Sequence, residues 1–300
     1  MEKLKNVDTL LFSGGGMKCV SILGTLQYLF EKNILNSTFE GIKNIYFISG
    51  SSIYITPLLI GLTMETTINL FKKINYKHIF EKCRKMKIQR LFDNFGFKPV
   101  TDYSFIVGVM LENKGIDRNI TLKGFYELTK INIHFRVTNI NKETNEYLNK
   151  DNSPDLKYID AVCMTCCIPL LFEPVEYNGC KYVDGGINNN FPYEVLDNNK
   201  NCLGINILQS PISLCNGSCC DTEINNLAQY LYKIYNTYGA PPISKESINH
   251  IKILQNGIPI DFDKFSSIIN DTILVGYNAA EEHFSSFQKH NDSSPPENED

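Results

Sequence analysis

The chain has 300 residues, of which 43% are hydrophobic, and this is enough to build a substantial core in one large domain or two small ones. Its net charge of -4 leaves no basic surface for nucleic acid, and the basic stretch Lys82 to Arg90 is short and interrupted, which favours a solvated helix face. No apolar stretch approaches the roughly 18 residues that span a bilayer. Any membrane contact is therefore expected to be peripheral.

The cysteines and the N-terminus both indicate a cytoplasmic protein. The first apolar segment, Leu10 to Phe12, is too short for a secretory signal. Most of the 10 cysteines lie inside apolar patterns, where a free thiol behaves as a small hydrophobic side chain. The spacings Cys163-x-x-Cys166 and Cys215-x-x-x-Cys219 leave a four-thiolate zinc site open, although nothing around the first pair resembles a zinc knuckle.

The predicted elements begin with two consecutive βα units. A strand at Leu10 to Phe12 runs into a glycine turn and then a helix whose apolar positions recur from Val20 to Phe30. A second strand at Ile45 to Ile48 runs into a serine turn and a helix from about Ile53 to Leu62. Two such units in succession predict a mostly parallel sheet covered by helices.

The remaining elements are shorter and less regular. Residues 66–128 are rich in Lys and Phe and predict a helical insertion, either a lipid-facing cap or ordinary covering helices. Residues 288–300 form a polar, acidic tail that cannot bury enough surface to fold and is expected to be disordered. The other predicted strands are 131–140, 146–148, 181–183 and 203–208, and the other predicted helices are 160–167, 224–238 and 272–287.

The first turn is glycine-rich and reads Ser13-Gly14-Gly15-Gly16. It is not a P-loop, because no Gly-Lys-Ser/Thr follows, and it is not the dinucleotide fingerprint, because Cys19 stands where the third glycine belongs. What remains is a run of unhindered N–H groups at the positive end of a helix. Such a run is suited to holding a developing oxyanion.

The second turn reads Gly50-Ser51-Ser52-Ile53-Tyr54 and resembles a nucleophile elbow, in which a serine sits on a sharp strand-to-helix turn. Small residues two positions before and after the serine allow the strand and the helix to cross closely. Gly50 satisfies this requirement and Tyr54 does not. Ser52 is therefore a candidate nucleophile, and a helix N-cap is the alternative for both Ser51 and Ser52.

The third turn, Asp184-Gly185-Gly186, places a carboxylate at the end of a short strand, where the glycines leave it accessible. A plain turn aspartate is the alternative interpretation. None of the 5 histidines lies in any of the three turns, so a Ser-His-Asp triad has no local support.

Taken together and in order, the three turns resemble the patatin-like phospholipase family, whose pattern is a glycine-rich loop with a following Arg or Lys, a Gly-x-Ser-x-Gly elbow and an Asp-Gly-Gly or Asp-Gly-Ala turn. Supporting matches are Gly24-Thr25-Leu26, Ala161 to Pro174, Asn188 to Pro192 and the late segment Gly276 to Ala280. The resemblance covers roughly residues 8–200. It implies one three-layer α/β/α domain over residues 1–287 with a mostly parallel central sheet.

The resemblance also implies a lipid acyl hydrolase that cleaves carboxylic ester bonds of phospholipids or related lipids without a metal or other cofactor. In this family a Ser-Asp dyad acts through an acyl-serine intermediate, which assigns Ser52 as nucleophile and Asp184 as base. The partners implied are a lipid ester substrate and a membrane surface, with no nucleic acid. The implied oxyanion donors are Gly14, Gly15, Gly16 and Met17, and the residues that complete the motifs are Lys18, Gly50, Gly185 and Gly186.

Two departures from the family pattern keep other functions open. Tyr54 replaces the last elbow glycine and Cys19 replaces a small residue, and both add side chains where strand and helix should pack closely. The alternatives are a catalytically impaired lipid-binding or regulatory module, and an acyltransferase that passes the acyl group to an alcohol.

Overall fold

The computed structural model describes residues 6–74, 88–187, 189–209, 247, 249–255 and 265–292. Several features predicted from the sequence lie outside these residues. They are most of the basic stretch (82–87), the second cysteine pair (Cys215 and Cys219), the helix at 224–238 and the end of the acidic tail (293–300).

The central sheet has eight strands, hydrogen-bonded in the order β10-β9-β1-β2-β4-β8-β7, and β5 also pairs with β4. Strands β10, β9, β1, β2 and β4 are parallel, whereas β5, β7 and β8 are antiparallel to their neighbours, so the prediction of a mostly parallel sheet is confirmed. Strands β3 and β6 form a separate pair. The strands are β1 (Thr9–Phe12), β2 (Asn44–Ile48), β3 (Gly96–Lys98), β4 (Asn132–Asn139), β5 (Thr144–Leu148), β6 (Leu170–Phe172), β7 (Val175–Tyr177), β8 (Cys180–Asp184), β9 (Cys202–Gln209) and β10 (His250–Gln255).

Among the described residues, most helices pack on one face of the sheet and the short α8 (Tyr193–Asp197) packs on the other. Their bounds are α1 (Ser21–Glu31), α2 (Ser51–Leu59), α3 (Met64–Lys73), α4 (Ile88–Asn94), α5 (Thr101–Asn113), α6 (Leu122–Thr129), α7 (Tyr158–Thr165), α8 (Tyr193–Asp197) and α9 (Phe265–Asp292). A 3-10 helix at Gly16–Val20 precedes α1. Within the described residues, none of these helices is both long and apolar enough to cross a membrane.

The alternation of side chains along the strands divides the core into two parts. Phe12, Phe47 and Phe135 point to one face and join a large buried cluster that includes the apolar side of α1. Leu11 and Ile48 point to the other face and form a smaller cluster with Phe191. The result is the expected α/β/α arrangement.

The elements missed by the sequence patterns are mostly short. Strands β3, β6 and β7 have three residues each, too few to show a period, and β3 lies inside the segment expected to be helical. Strand β10 was also not predicted. Helix α9 begins before Thr272 and continues to Asp292, past the expected start of the tail at Gln288.

Strands β2 and β8 meet end to end along one edge of β4. β5 pairs with β4 from Phe135 to Asn139, so β2 and β8 must both use the opposite edge. β2 runs parallel to β4 and ends with Ile48 opposite Arg136, whereas β8 runs antiparallel and ends with Asp184 opposite Val137. The turns after the two strands therefore occupy the same point of the sheet.

Helices α1 and α9 touch through their backbones. A Cβ atom at Gly24 would overlap the carbonyl oxygen of Ile273, and one at Gly276 would overlap that of Ser21. The Thr25 hydroxyl donates a hydrogen bond to the Gly276 carbonyl oxygen across the same crossing (2.8 Å).

We expect Gly276→Ala to lower the free energy of unfolding by about 2 kcal/mol, because the added methyl group meets rigid backbone. Helix propensity alone predicts the opposite sign, a gain of about 1 kcal/mol. Chemical denaturation measures the difference. The matched control is Asn270→Ala at an exposed position of α9, which should stay within about 0.5 kcal/mol of the unsubstituted protein. A stabilised Gly276→Ala variant would contradict the close crossing.

Candidate active site

The serine that meets the aspartate is Ser49. Strand β2 ends at Ile48, Ser49 adopts φ 54°, and α2 begins two residues later at Ser51. The Ser49 hydroxyl donates a hydrogen bond to Asp184 Oδ2 at 2.6 Å, within the range of O–H···O⁻ bonds. A positive φ is uncommon for a residue other than glycine and indicates a backbone held in place by its surroundings.

Ser52, the predicted nucleophile, lies one turn further along. Its hydroxyl donates to the Ser49 carbonyl oxygen (2.8 Å) and is 3.5 Å from Cys166 Sγ. The side chain is fully buried in the first turn of α2. The structure therefore brings Asp184 together with Ser49 and not with Ser52, and the candidate nucleophile moves three positions towards the N-terminus.

This shift also accounts for Tyr54, which did not fit the elbow pattern. With Ser49 at the turn, the residue two positions later is the small, buried Ser51, and the close approach falls at Gly50, where a Cβ atom would lie 2.5 Å from the Gly16 carbonyl oxygen. Tyr54 points into the core, where its ring lies 4.5 Å from that of Phe71. Its bulk therefore does not disturb the turn.

The end of helix α7 and strand β4 together hold the Ser49 backbone in its unusual conformation. The Ser49 N–H donates to Thr165 Oγ1 (2.9 Å), and the Thr165 hydroxyl donates to the Arg136 carbonyl oxygen (2.7 Å). The sequence analysis did not identify Thr165 or Arg136 as site residues. Arg136 carried a usable signal, because it is the one Lys, Arg, Asp or Glu in the segment Ile131 to Val137, which alternates between apolar and polar residues.

Asp184 is buried, with 5% of its surface exposed. Its Oδ1 accepts the Gly186 N–H (2.7 Å), and a Cβ atom at Gly185 would overlap the Arg136 carbonyl oxygen, so both predicted glycines are needed for this turn. Desolvation raises the pKa of Asp184 from 3.8 to about 6, against the lowering effects of the Ser49 and Gly186 hydrogen bonds and of the Arg136 charge. The carboxylate is thus a stronger base than an exposed aspartate and is still ionised at neutral pH.

The glycine turn lies directly against Ser49. A Cβ atom at Gly14 would lie 3.1 Å from Ser49 Cβ. The Gly14 N–H already donates to the Asn190 carbonyl oxygen (3.2 Å), so this predicted donor is occupied. Within the described part of the chain, the N–H groups of Gly15, Gly16 and Met17 have no hydrogen-bond partner.

Lys18, the basic residue that follows these donors, is largely buried in the 3-10 helix. Desolvation lowers its pKa to about 8. Its carbonyl oxygen accepts the Ser21 hydroxyl (2.8 Å), which joins the 3-10 helix to the start of α1.

Other candidate chemistry has little support among the described residues. His134 is hydrogen-bonded to Asn44 and Asn149, and His250 packs on Phe191, so neither forms part of a triad with Ser49. Cys163 donates to the Val100 carbonyl oxygen, and no group of three or more His, Cys, Asp or Glu side chains is arranged to hold a metal in the described ranges.

We expect Asp184→Asn to stabilise the fold in a pH-dependent way. A carboxyl group whose pKa is raised in the folded state lowers the free energy of unfolding as the pH rises from about 4 to about 6. An amide avoids that penalty: its oxygen can still accept the Gly186 N–H, and its NH2 group can donate to the Ser49 hydroxyl oxygen in place of the bond that Asp184 accepts. The variant should match the unsubstituted protein near pH 4 and exceed it by up to about 3 kcal/mol near pH 8, at roughly 1.4 kcal/mol per pKa unit. Denaturation at both pH values measures this, with the exposed Asp155→Asn as control. If the difference in free energy of unfolding between Asp184→Asn and the unsubstituted protein does not grow with pH, the raised pKa of Asp184 is contradicted.

Comparison with known proteins places this geometry in a family. The model of the patatin-like phospholipase family matches residues 10–197. A protein named "Probable lipid hydrolase 463L" from Invertebrate iridescent virus 6 is 31% identical over 195 residues, which are 64% of this chain and 64% of that protein. "Triacylglycerol lipase 4" of Saccharomyces cerevisiae is 26% identical over 259 residues, 76% of this chain but 28% of the yeast protein.

The solved structures agree in fold. The crystal structure of VipD from Legionella pneumophila superposes with a TM-score of 0.53 at 16% identity, covering 94% of this chain and 67% of that one. The part of the viral and yeast relatives that aligns with this chain is less than two thirds of the length of each. The family match covers well over half of the chain and includes the glycine turn, the serine turn and the aspartate turn. The chain belongs to the patatin-like phospholipase family.

Proposed function

We propose that this protein is a lipid acyl hydrolase in which Ser49 is the nucleophile and Asp184 the general base. The single observation that carries the proposal is the 2.6 Å hydrogen bond between the Ser49 hydroxyl and the Asp184 carboxylate. A nucleophile within hydrogen-bond reach of a base is the geometry that covalent catalysis requires. The names of the viral and yeast relatives, a lipid hydrolase and a triacylglycerol lipase, support a lipid ester as substrate.

In the first half of the reaction, Ser49 Oγ attacks the carbonyl carbon of the ester while its proton passes to Asp184 Oδ2. The negative charge that develops on the carbonyl oxygen is held by the N–H groups of Gly15, Gly16 and Met17. In comparable sites, one such donor contributes roughly 3 to 4 kcal/mol. The tetrahedral intermediate then collapses, and the leaving alcohol takes the proton from Asp184.

In the second half, Asp184 accepts a proton from water, and the resulting hydroxide attacks the acyl-Ser49 carbonyl carbon. Collapse of this second intermediate releases the fatty acid, and Asp184 returns the proton to Ser49. The same side chain therefore acts as base and then as acid in each half of the reaction. A carboxyl group with a pKa of about 6 exchanges protons in both directions more readily near neutral pH than an ordinary aspartate does.

This arrangement argues against the catalytically impaired alternative, because Tyr54, one of the two departures that motivated it, lies in the core and away from the turn. The acyltransferase alternative shares the acyl-Ser49 intermediate and differs only in the acceptor. Product analysis with added glycerol distinguishes transfer from hydrolysis.

The decisive test compares two serines in one turn. A fluorophosphonate probe, which phosphonylates activated serines with loss of fluoride, should label the unsubstituted protein and fail to label Ser49→Ala. Ser52→Ala loses one buried hydrogen bond, worth about 1 kcal/mol, and should be labelled at a rate within about threefold of the unsubstituted protein.

The paired design makes each outcome informative. Labelling that survives Ser49→Ala and disappears in Ser52→Ala would return the role to Ser52. No labelling of any folded variant, together with no release of fatty acid from vesicles, would reject the hydrolase.

We further propose that the protein acts at a lipid surface through an apolar ridge made of Ile88, Phe92, Phe95 and Leu170. Ile88 and Phe92 lie four residues apart on α4, and their side chains are 68% and 72% exposed. Phe95 precedes Gly96, and Gly96 pairs with Leu170 where β3 and β6 meet. Phe95 is 56% exposed and Leu170 is 43% exposed. Large side chains exposed in a continuous group mark a contact surface.

The ridge lies close to the dyad. The Cys167 carbonyl oxygen accepts the Asp184 N–H (2.8 Å), and Leu170 is three residues further along the chain. Three extended residues span at most about 11 Å. The distance from Leu170 to Asp184 is therefore shorter than a fatty acyl chain, and a lipid held at Leu170 can reach Asp184. The ridge belongs to the segment 66–128 expected to contact lipid, extended by Leu170 from outside it. A cytoplasmic setting is consistent with the described cysteines, which are free thiols.

Replacing the two aromatic residues of the ridge, Phe92→Ser with Phe95→Ser, should reduce flotation with phosphatidylcholine vesicles at least fivefold. Hydrolysis of a short, water-soluble ester should stay within about twofold, because neither residue contacts Ser49. Leu128→Ser is the matched control, since Leu128 is 52% exposed on α6 and outside the ridge. Equal flotation of the ridge and control variants would reject this surface.

A further inference from the structure

Asn190 holds the glycine turn through two hydrogen bonds to a single residue. Its carbonyl oxygen accepts the Gly14 N–H at 3.2 Å. Its side-chain Nδ2 donates to the Gly14 carbonyl oxygen at 2.9 Å. Both polar groups of the Gly14 backbone are therefore bonded to Asn190.

The Asn190 amide is also wedged between the two turns of the site. A Cβ atom at Gly14 would overlap Asn190 Oδ1, and one at Gly186 would lie 2.8 Å from the same oxygen. Gly186 also donates its N–H to Asp184 Oδ1 (2.7 Å). The amide therefore touches the glycine turn on one side and the aspartate turn on the other.

Neighbouring bonds keep Asn190 in place. Arg136 Nη1 donates to the Asn189 carbonyl oxygen (2.5 Å), and Asn189 Oδ1 accepts the Phe191 N–H (3.0 Å). Phe191 is buried and stacks on His250 with ring centroids 4.9 Å apart. The segment that carries Asn190 is thus fixed on both sides of it.

The Gly14 carbonyl group has a direct geometric link to the oxyanion donors. In a planar trans peptide the C=O of one residue and the N–H of the next point in opposite directions. Holding the Gly14 C=O on the Asn190 amide therefore directs the Gly15 N–H away from Asn190. Gly15 is the first of the three donors that have no partner among the described residues.

We propose that Asn190 is a positioning residue that aims the Gly15 N–H and sets the distance between the glycine turn and the Ser49–Asp184 pair. It acts through Gly14 and Gly186 and does not touch the substrate. The inference rests on the hydrolase function proposed above. An amide side chain of this length is required, because Asp lacks the donor and Ala lacks both polar atoms.

Two variants and one control test this role. Asn190→Ala should lower kcat for a short p-nitrophenyl ester about 10- to 100-fold with KM changed less than threefold, because a misaimed donor is lost mainly in the transition state. Asn190→Asp keeps the shape but replaces the donor with a negative charge beside the aspartate turn. It should lower kcat similarly and move the acid limb of kcat/KM to higher pH than in the unsubstituted protein, where that limb is set by Asp184.

The control is Asn199→Ala, which removes an amide of the same type that is bonded to the Thr9 hydroxyl (2.9 Å) away from both turns. It should leave kcat and KM within twofold of the values for the unsubstituted protein. The acid limb of kcat/KM should stay within 0.3 pH units. Thermal unfolding establishes that each variant is folded, and Asn190→Asp carries the test if Asn190→Ala does not fold.

The outcomes separate the two levels of the proposal. An unsubstituted protein that neither hydrolyses the ester nor reacts with the fluorophosphonate would reject the hydrolase function itself. An active protein whose Asn190 variants retain kcat would reject only the positioning role. A raised KM with unchanged kcat would assign Asn190 to substrate binding and would overturn the proposal.

Discussion

The site depends on the meeting of two strand ends along one edge of β4. Strand β2 reaches Arg136 from one direction and β8 reaches Val137 from the other, so the residues that follow them are forced together. Ser49 and Asp184 are 135 positions apart in the chain and are joined by a 2.6 Å hydrogen bond. A single shared strand edge therefore replaces the long side chain, such as histidine, that bridges the serine and the acid in a triad.

The same packing makes the aspartate more basic. Because β8 ends inside the sheet, its last carboxylate is removed from water, and desolvation raises its pKa to about 6. Ser49 is held at φ 54° by Thr165, which is in turn bonded to the backbone of Arg136. Burial of a carboxylate and an unusual backbone conformation both lower the stability of the fold, and both occur at the point where chemistry is proposed.

Glycines at the site serve close approach more than flexibility. Gly14 and Gly186 leave room for the Asn190 amide, and Gly50 leaves room for the Gly16 carbonyl group. These contacts join the three turns through the Asn190 side-chain amide and the Gly16 backbone. Any added Cβ atom would push a turn away from Ser49, which explains why small residues recur in all three motifs.

Local motifs and hydrophobic periodicity were enough to identify the family and the mostly parallel sheet, and they predict Asp184 as the carboxylate of the site. The motif counted from Gly50 predicts Ser52 as the nucleophile. The tertiary structure instead places the Ser49 hydroxyl against Asp184, a contact that depends on where β2 ends against β4, and the proposed role of Ser49 rests on that contact. It likewise brought Asn190 to Gly14, a contact between distant segments that no local pattern encodes.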